Sequence, residues 1–145
     1  MSGVEGSEAT RDTRHPTLSE RKAARGTETA YVITVVVTDG IDNYSYQMIE
    51  ILRSNIFDRW LSGLRDRRAV VRIAARLDRL AAGNPGDAQP VGDGISELRV
   101  NYGPGYRVYF IQKGRVLIVL LCGGDKSTQD RDIRQAKVLA SEWKD

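Results

Sequence analysis

The chain has 145 residues, 41% hydrophobic and 28% charged, with a net charge of +3. That is enough for one domain with a modest core. The charge is uneven: residues 1–47 hold 5 Lys/Arg against 7 Asp/Glu, and residues 48–145 hold 17 against 12. A basic C-terminal part suits a polyanionic partner (RNA, DNA or an acidic protein), although many small basic domains touch no nucleic acid.

Cys122 is the one cysteine, which excludes an internal disulfide and fits a reducing cytoplasm. It follows an apolar run, where a cysteine is more often a buried small hydrophobe than a nucleophile. His15 is the one histidine and lies in a polar stretch, so neither a histidine-based metal site nor a Cys–His dyad is expected. The apolar runs Val116–Cys122 and Tyr31–Val37 are too short to span a membrane.

Residues 1–30 are nearly free of large apolar side chains and read as disordered, because they bury too little surface to offset ordering entropy. Tyr31–Val37 is β-branched and strand-like. The folded domain is expected to begin at Met48, with 1–47 a disordered or weakly ordered extension; the rival reading adds 31–37 to the sheet as an edge strand. Met48–Arg53 alternates and predicts a strand. Ser54 then caps a helix on Phe57, Trp60, Leu61 and Leu64 that ends near Gly63. Asp66 caps a second helix, whose stripe is Val70, Ile73, Ala74, Leu77, Leu80 and Ala81. Its many arginines suit either RNA or a plain solvated surface. Gly83-Asn84-Pro85-Gly86 ends it, and Asp87–Gly94 reads as a polar loop.

Three strands follow, Ile95–Asn101, Tyr106–Gln112 and Arg115–Cys122, joined by hairpin-length turns and therefore antiparallel. A last helix starts at Ser127 or Thr128 and buries Ile133, Ala136, Leu139, Ala140 and Trp143. The expected order is βααβββα: an α+β domain with one antiparallel-dominated sheet and its helices packed on one face.

Alternation along these strands separates a core set from a second set. Glu97, Arg99, Arg107 and Tyr109 fall together on what should be an open face, with Tyr102 in the turn and Lys126 at the rim. Arginines that grip phosphate and tyrosines that stack on bases would suit a phosphodiester there. The competing reading is a solvated face whose arginine stems shield the sheet.

The Gly92–Arg99 entry to the sheet, the Gly105-Tyr106-Arg107 strand entry and the Leu121–Ser127 corner, in this order, resemble the RelE/HigB superfamily. More narrowly, the chain resembles addiction-module killer proteins of bacterial type II toxin–antitoxin systems. The resemblance covers about residues 48–145. It implies a cytoplasmic toxin that cleaves mRNA, commonly on the ribosome, and a cognate helix-turn-helix antitoxin that neutralises it. It implies no cofactor or metal: the 2′-hydroxyl attacks the adjacent phosphate to leave a 2′,3′-cyclic phosphate or its opened product. By position, Arg107 matches the arginine that contacts the scissile phosphate, Arg99 a basic position on the preceding strand, and Lys126 a second phosphate-binding cation. Tyr102 and Tyr109 are candidates for substrate binding. Glu97 stands where some members have lysine; it is the candidate general base, with Asp130 and Asp132 weaker ones. The last helix has no tyrosine or histidine, unlike some ribosome-dependent nucleases. That departure keeps open two alternatives: a toxin of the same fold that inhibits DNA gyrase by protein contact, and an inactive RNA-binding module.

Overall fold

A computed structural model describes residues 17–22, 28–38, 44–114 and 117–143, with the strands before residue 50 given by backbone alone. The strands are β1 (Thr17–Lys22), β2 (Glu28–Thr38), β3 (Tyr44–Ser54), β4 (Ala88–Gly92), β5 (Ile95–Val100), β6 (Tyr106–Lys113) and β7 (Leu117–Asp125). The helices are α1 (Asn55–Ser62), α2 (Arg67–Ala81) and α3 (Gln129–Ala140). Among the described residues the strands form one mixed sheet in the order β1-β2-β3-β7-β6-β5-β4. The five from β3 to β4 carry the described side chains. Only β3 and β7 pair in parallel; every other neighbour is antiparallel.

The element order therefore differs from βααβββα. The expected loop at Asp87–Gly94 contains β4, an edge strand paired with β5. Its side chains are half-buried or exposed, so no apolar alternation marks it. Pro90 lacks a backbone donor and fits an edge position. Before the helices, β1 and β2 lie on the β3 side of the sheet, and β3 begins at Tyr44 rather than Met48. Much of the expected extension, residues 1–16, 23–27 and 39–43, lies outside the described residues.

The local signals behind the helices take effect. The Ser54 hydroxyl accepts from Phe57 N at 3.0 Å and donates to Leu121 O at 2.6 Å, so it starts α1 and ties it to β7. Asp66 accepts from Arg68 N at 3.0 Å and Ala69 N at 3.4 Å. The buried stripe of α2 is Ala69, Ile73, Leu80 and Ala81; Ala74 is exposed and Val70 half-buried, so the stripe is rotated from the expected one.

Helices cover both faces of the sheet, not one. On the first face Phe57 of α1 and Ile73 and Leu80 of α2 pack against Ile51, Leu98, Val108, Phe110, Ile118 and Leu120. On the second, Ala136 and Ala140 of α3 pack against Leu52, Ile95, Tyr109, Ile111, Val119 and Cys122. Each fully buried Leu, Ile or Phe contributes roughly 1.5–3 kcal/mol. A bulge at Tyr109/Phe110 leaves Leu121 as the extra residue of β7, which brings Leu121 and Cys122 into the same core. Two glycines then admit the helices closely. A Cβ on Gly123 would lie 2.3 Å from the Trp60 ring, and one on Gly124 would lie 1.8 Å from Asp132 Oδ2.

Candidate functional site

Register brings four of the expected residues together. Glu97 is paired across strands with Tyr109, and Arg99 with Arg107. Because α3 covers this face, however, Glu97 and Tyr109 are 0% exposed. Alternation identified which face these residues share; what lies over that face depends on where the last helix docks.

Glu97 is the centre of the cluster. Its Oε1 accepts from Arg107 Nη1 at 2.7 Å and Arg99 Nε at 3.1 Å. Its Oε2 accepts from Gln129 Nε2 at 2.8 Å and Tyr109 Oη at 2.9 Å. A carboxylate offers about four acceptor sites, and here four donors use them. Burial pushes the Glu97 carboxyl up, but the bonds from Gln129, Tyr109 and Arg99, with the charge of Arg107, outweigh it and hold the group below its ordinary range. Glu97 is thus an ionised acceptor engaged by four donors, two of them arginines. Tyr109 is raised, first by burial and then by its bond to Glu97. It offers its ring to the α3 core and not to a base.

The arginines carry the cluster outward. The Arg107 side chain is 12% exposed and that of Arg99 35%. Arg107 Nε is buried without a hydrogen-bond partner among the described residues. Arg99 Nη2 also donates to Gln89 Oε1 of β4 at 2.9 Å. Its backbone is fixed from both sides: Arg99 N donates to Asp87 O at 2.9 Å, and Arg76 of α2 donates to Arg99 O. The edge strand β4, the residue before it and α2 therefore brace Arg99 together.

Lys126 is exposed in a short 3-10 turn that leads into α3. It lies two residues past Gly124, the cross-strand partner of Arg107, and its Cβ would stand 3.5 Å from one on Gly105. A shallow depression of about 350 Å³ is lined by Lys126–Arg131 and Arg134. Gln129 belongs both to this depression and to the Glu97 network, so the two adjoin. Asp130 is exposed at the depression, whereas Asp132 is buried, accepts from Thr128 Oγ1 and lies 3.6 Å from Arg131 Nε.

Tyr102 stands apart from the cluster, on the α1/α2 face. Its hydroxyl donates to Asp66 Oδ2 at 2.8 Å, and the Arg72 guanidinium lies 4.8 Å from its ring centroid. The bond from Tyr102 is the largest influence lowering the Asp66 carboxyl. Tyr102 lines a separate depression with Arg72, Arg76 and Arg79. Gln129 was not among the expected site residues: a glutamine in the first turn of a helix carries no pattern that points across to a strand.

No group of three or more His, Cys, Asp or Glu able to hold a metal ion occurs among the described residues. No described helix is long and apolar enough to cross a membrane.

Mixed sheet, helices on both faces and a cationic cluster braced by a buried carboxylate define a small α+β domain suited to an anionic ligand. Residues 59–142 match the family of phage-derived Gp49-like proteins (DUF891), and the chain belongs to that family. The family is part of the RelE/HigB-like toxin group and is linked to RelE-type endoribonuclease toxins, a context that suggests an antitoxin partner. The chain is 56% identical over 94 residues to an uncharacterized protein of Haemophilus influenzae, an alignment covering 65% of this chain and 95% of the relative. No solved structure matches the chain.

Proposed function

We propose that this chain is the toxin of a type II toxin–antitoxin pair and an endoribonuclease that cleaves mRNA on the ribosome. The observation that carries the reading is Glu97, buried and ionised, holding together the largely buried Arg107 and the more exposed Arg99. A guanidinium has five N–H donors in a planar fork. Glu97 takes one nitrogen of Arg107 and leaves others for a phosphate.

In this reading the 2′-oxygen attacks phosphorus, the bond to the 5′-oxygen breaks, and a proton passes from the 2′-hydroxyl to the departing 5′-oxygen. The products are a 2′,3′-cyclic phosphate and a 5′-hydroxyl. Arg107 and Lys126 stabilise the negative charge that grows on the phosphorane, and Arg99 binds the same or the neighbouring phosphate. Fixed donors of this kind contribute about 10²–10³-fold each. Glu97 acts by orienting the arginines. A cognate helix-turn-helix antitoxin covers the cationic surface and neutralises it.

The test is induction of the full chain in a bacterium, with mapping of mRNA 5′ ends. Growth arrest with discrete cuts inside translated codons is expected, and Arg107→Ala should remove both while the purified variant still folds. Arrest with intact mRNA and DNA-damage signalling would overturn the reading in favour of a gyrase-directed toxin.

A further inference from the structure

We propose that Gln129 is a positioning residue that acts through Glu97 to fix the Arg107 and Arg99 guanidiniums. The proposal rests on the phosphate-binding role given above to those arginines. Gln129 is the one donor to Glu97 that comes from α3; the other three come from β5 and β6. The carboxylate is therefore clamped between sheet and helix. With Tyr109 it fills Oε2, which leaves Oε1 to the two arginines and sets the rotation of the carboxyl plane.

Without the Gln129 donor, Oε2 retains one partner and the carboxyl can turn. The arginines then lose a fixed anchor, and their forks spread over more orientations. Placement of catalytic groups within a fraction of an ångström is what such orientation secures. Gln129 also lines the depression at the head of α3 together with Lys126, Arg131 and Arg134. It therefore links the buried anchor to the surface on which a phosphate chain would lie.

The charged and titratable groups around Glu97 bear on the test. They are Arg99 on its own strand and Arg107 and Tyr109 on β6, with the buried Asp132 of α3 acting by its charge on Tyr109. The bond from Gln129 favours the ionised carboxylate. Its loss raises the midpoint of Glu97, and loss of one bond to a charged group corresponds to about one pH unit.

The experiment uses the full chain. The Glu97 carboxyl carbon is titrated by NMR in wild type, Gln129→Leu and Gln129→Lys. In parallel, cleavage of an mRNA bound to programmed ribosomes is followed against pH. Gln129→Leu should raise the Glu97 midpoint by about one unit and move the acid limb of cleavage upward with it. It should also lower kcat roughly tenfold with little change in KM. Gln129→Lys keeps a donor and should bring the midpoint back to or below that of wild type. If both variants titrate like wild type, and activity falls only with the folded fraction, Gln129 is a packing residue and the proposal is overturned. If wild type cleaves no RNA but the midpoint still responds to residue 129, the positioning of Glu97 stands and the nuclease reading falls.

Discussion

Replacing Glu97 tests the organisation of the site directly. The carboxylate is 0% exposed and receives four hydrogen bonds, from Arg107, Arg99, Tyr109 and Gln129. Glu97→Ala leaves all four donors unpaired, with Arg107 largely desolvated. Removing one partner of a buried ion pair costs about 3–5 kcal/mol. A domain of this size has roughly 5–15 kcal/mol in total, so the loss is a large share of it. Glu97→Gln keeps the volume. Its amide oxygen can face the arginines, while its NH2 donates to Tyr109 Oη and a turned Gln129 amide. Only the charge is lost, a cost of about 1–2 kcal/mol. Urea unfolding followed by the fluorescence of Trp60 and Trp143 measures both. With a slope of about 2 kcal/mol per molar, Glu97→Ala should lower the midpoint by about 2 M, and Glu97→Gln by under about 1 M. An Ala variant within about 0.5 kcal/mol of wild type would refute the reasoning, since surface substitutions behave that way and a buried four-donor anchor does not.

The low-pH behaviour follows from the same group. The folded Glu97 carboxyl lies below its unfolded value, so its contribution is complete above the ordinary carboxylate range and is lost as pH falls through the folded value. The stability gap between wild type and Glu97→Gln should therefore close as pH falls below the ordinary carboxylate range in urea titrations; a constant gap would contradict the assignment. Gly124→Ala places a Cβ 1.8 Å from Oδ2 of the buried Asp132 and 2.8 Å from Oγ1 of the half-buried Thr128. It should lower Tm by roughly 5–15 °C in circular dichroism, and an unchanged Tm would show that α3 can move away freely. Burial pushes the Cys122 thiol up to about 12, and Asp132 adds to the shift. The native protein should stay inert to a disulfide reagent at about pH 8 and react fully once denatured; rapid stoichiometric reaction of the native form would disprove its burial.

Much of the fold was legible in local chemistry. Ser54 and Asp66 are good caps, and their side chains accept the bonds that start α1 and α2. The alternation through Glu97–Val100 and Tyr106–Ile111 separated the two faces, and the register pairs Glu97 with Tyr109 and Arg99 with Arg107. The edge strand β4 was not legible. Its pairing is made by the backbone, and its polar side chains leave no period to read.

Residue type and period by themselves determined that Glu97, Arg99, Arg107 and Tyr109 share a face, because side chains of a strand alternate whatever lies above them. Tyr102, expected in the turn beside that face, is found instead on the α1/α2 side, bonded to Asp66. Only the tertiary structure decided that α3 closes over the shared face. That docking buries Glu97 and Tyr109, brings Gln129 across to the carboxylate and leaves the arginines at the margin. Period says which way a side chain points, but burial depends on a helix that begins 20 residues past Tyr109 and 32 past Glu97. That helix adds the fourth donor, Gln129, to the three that the strands bring to Glu97.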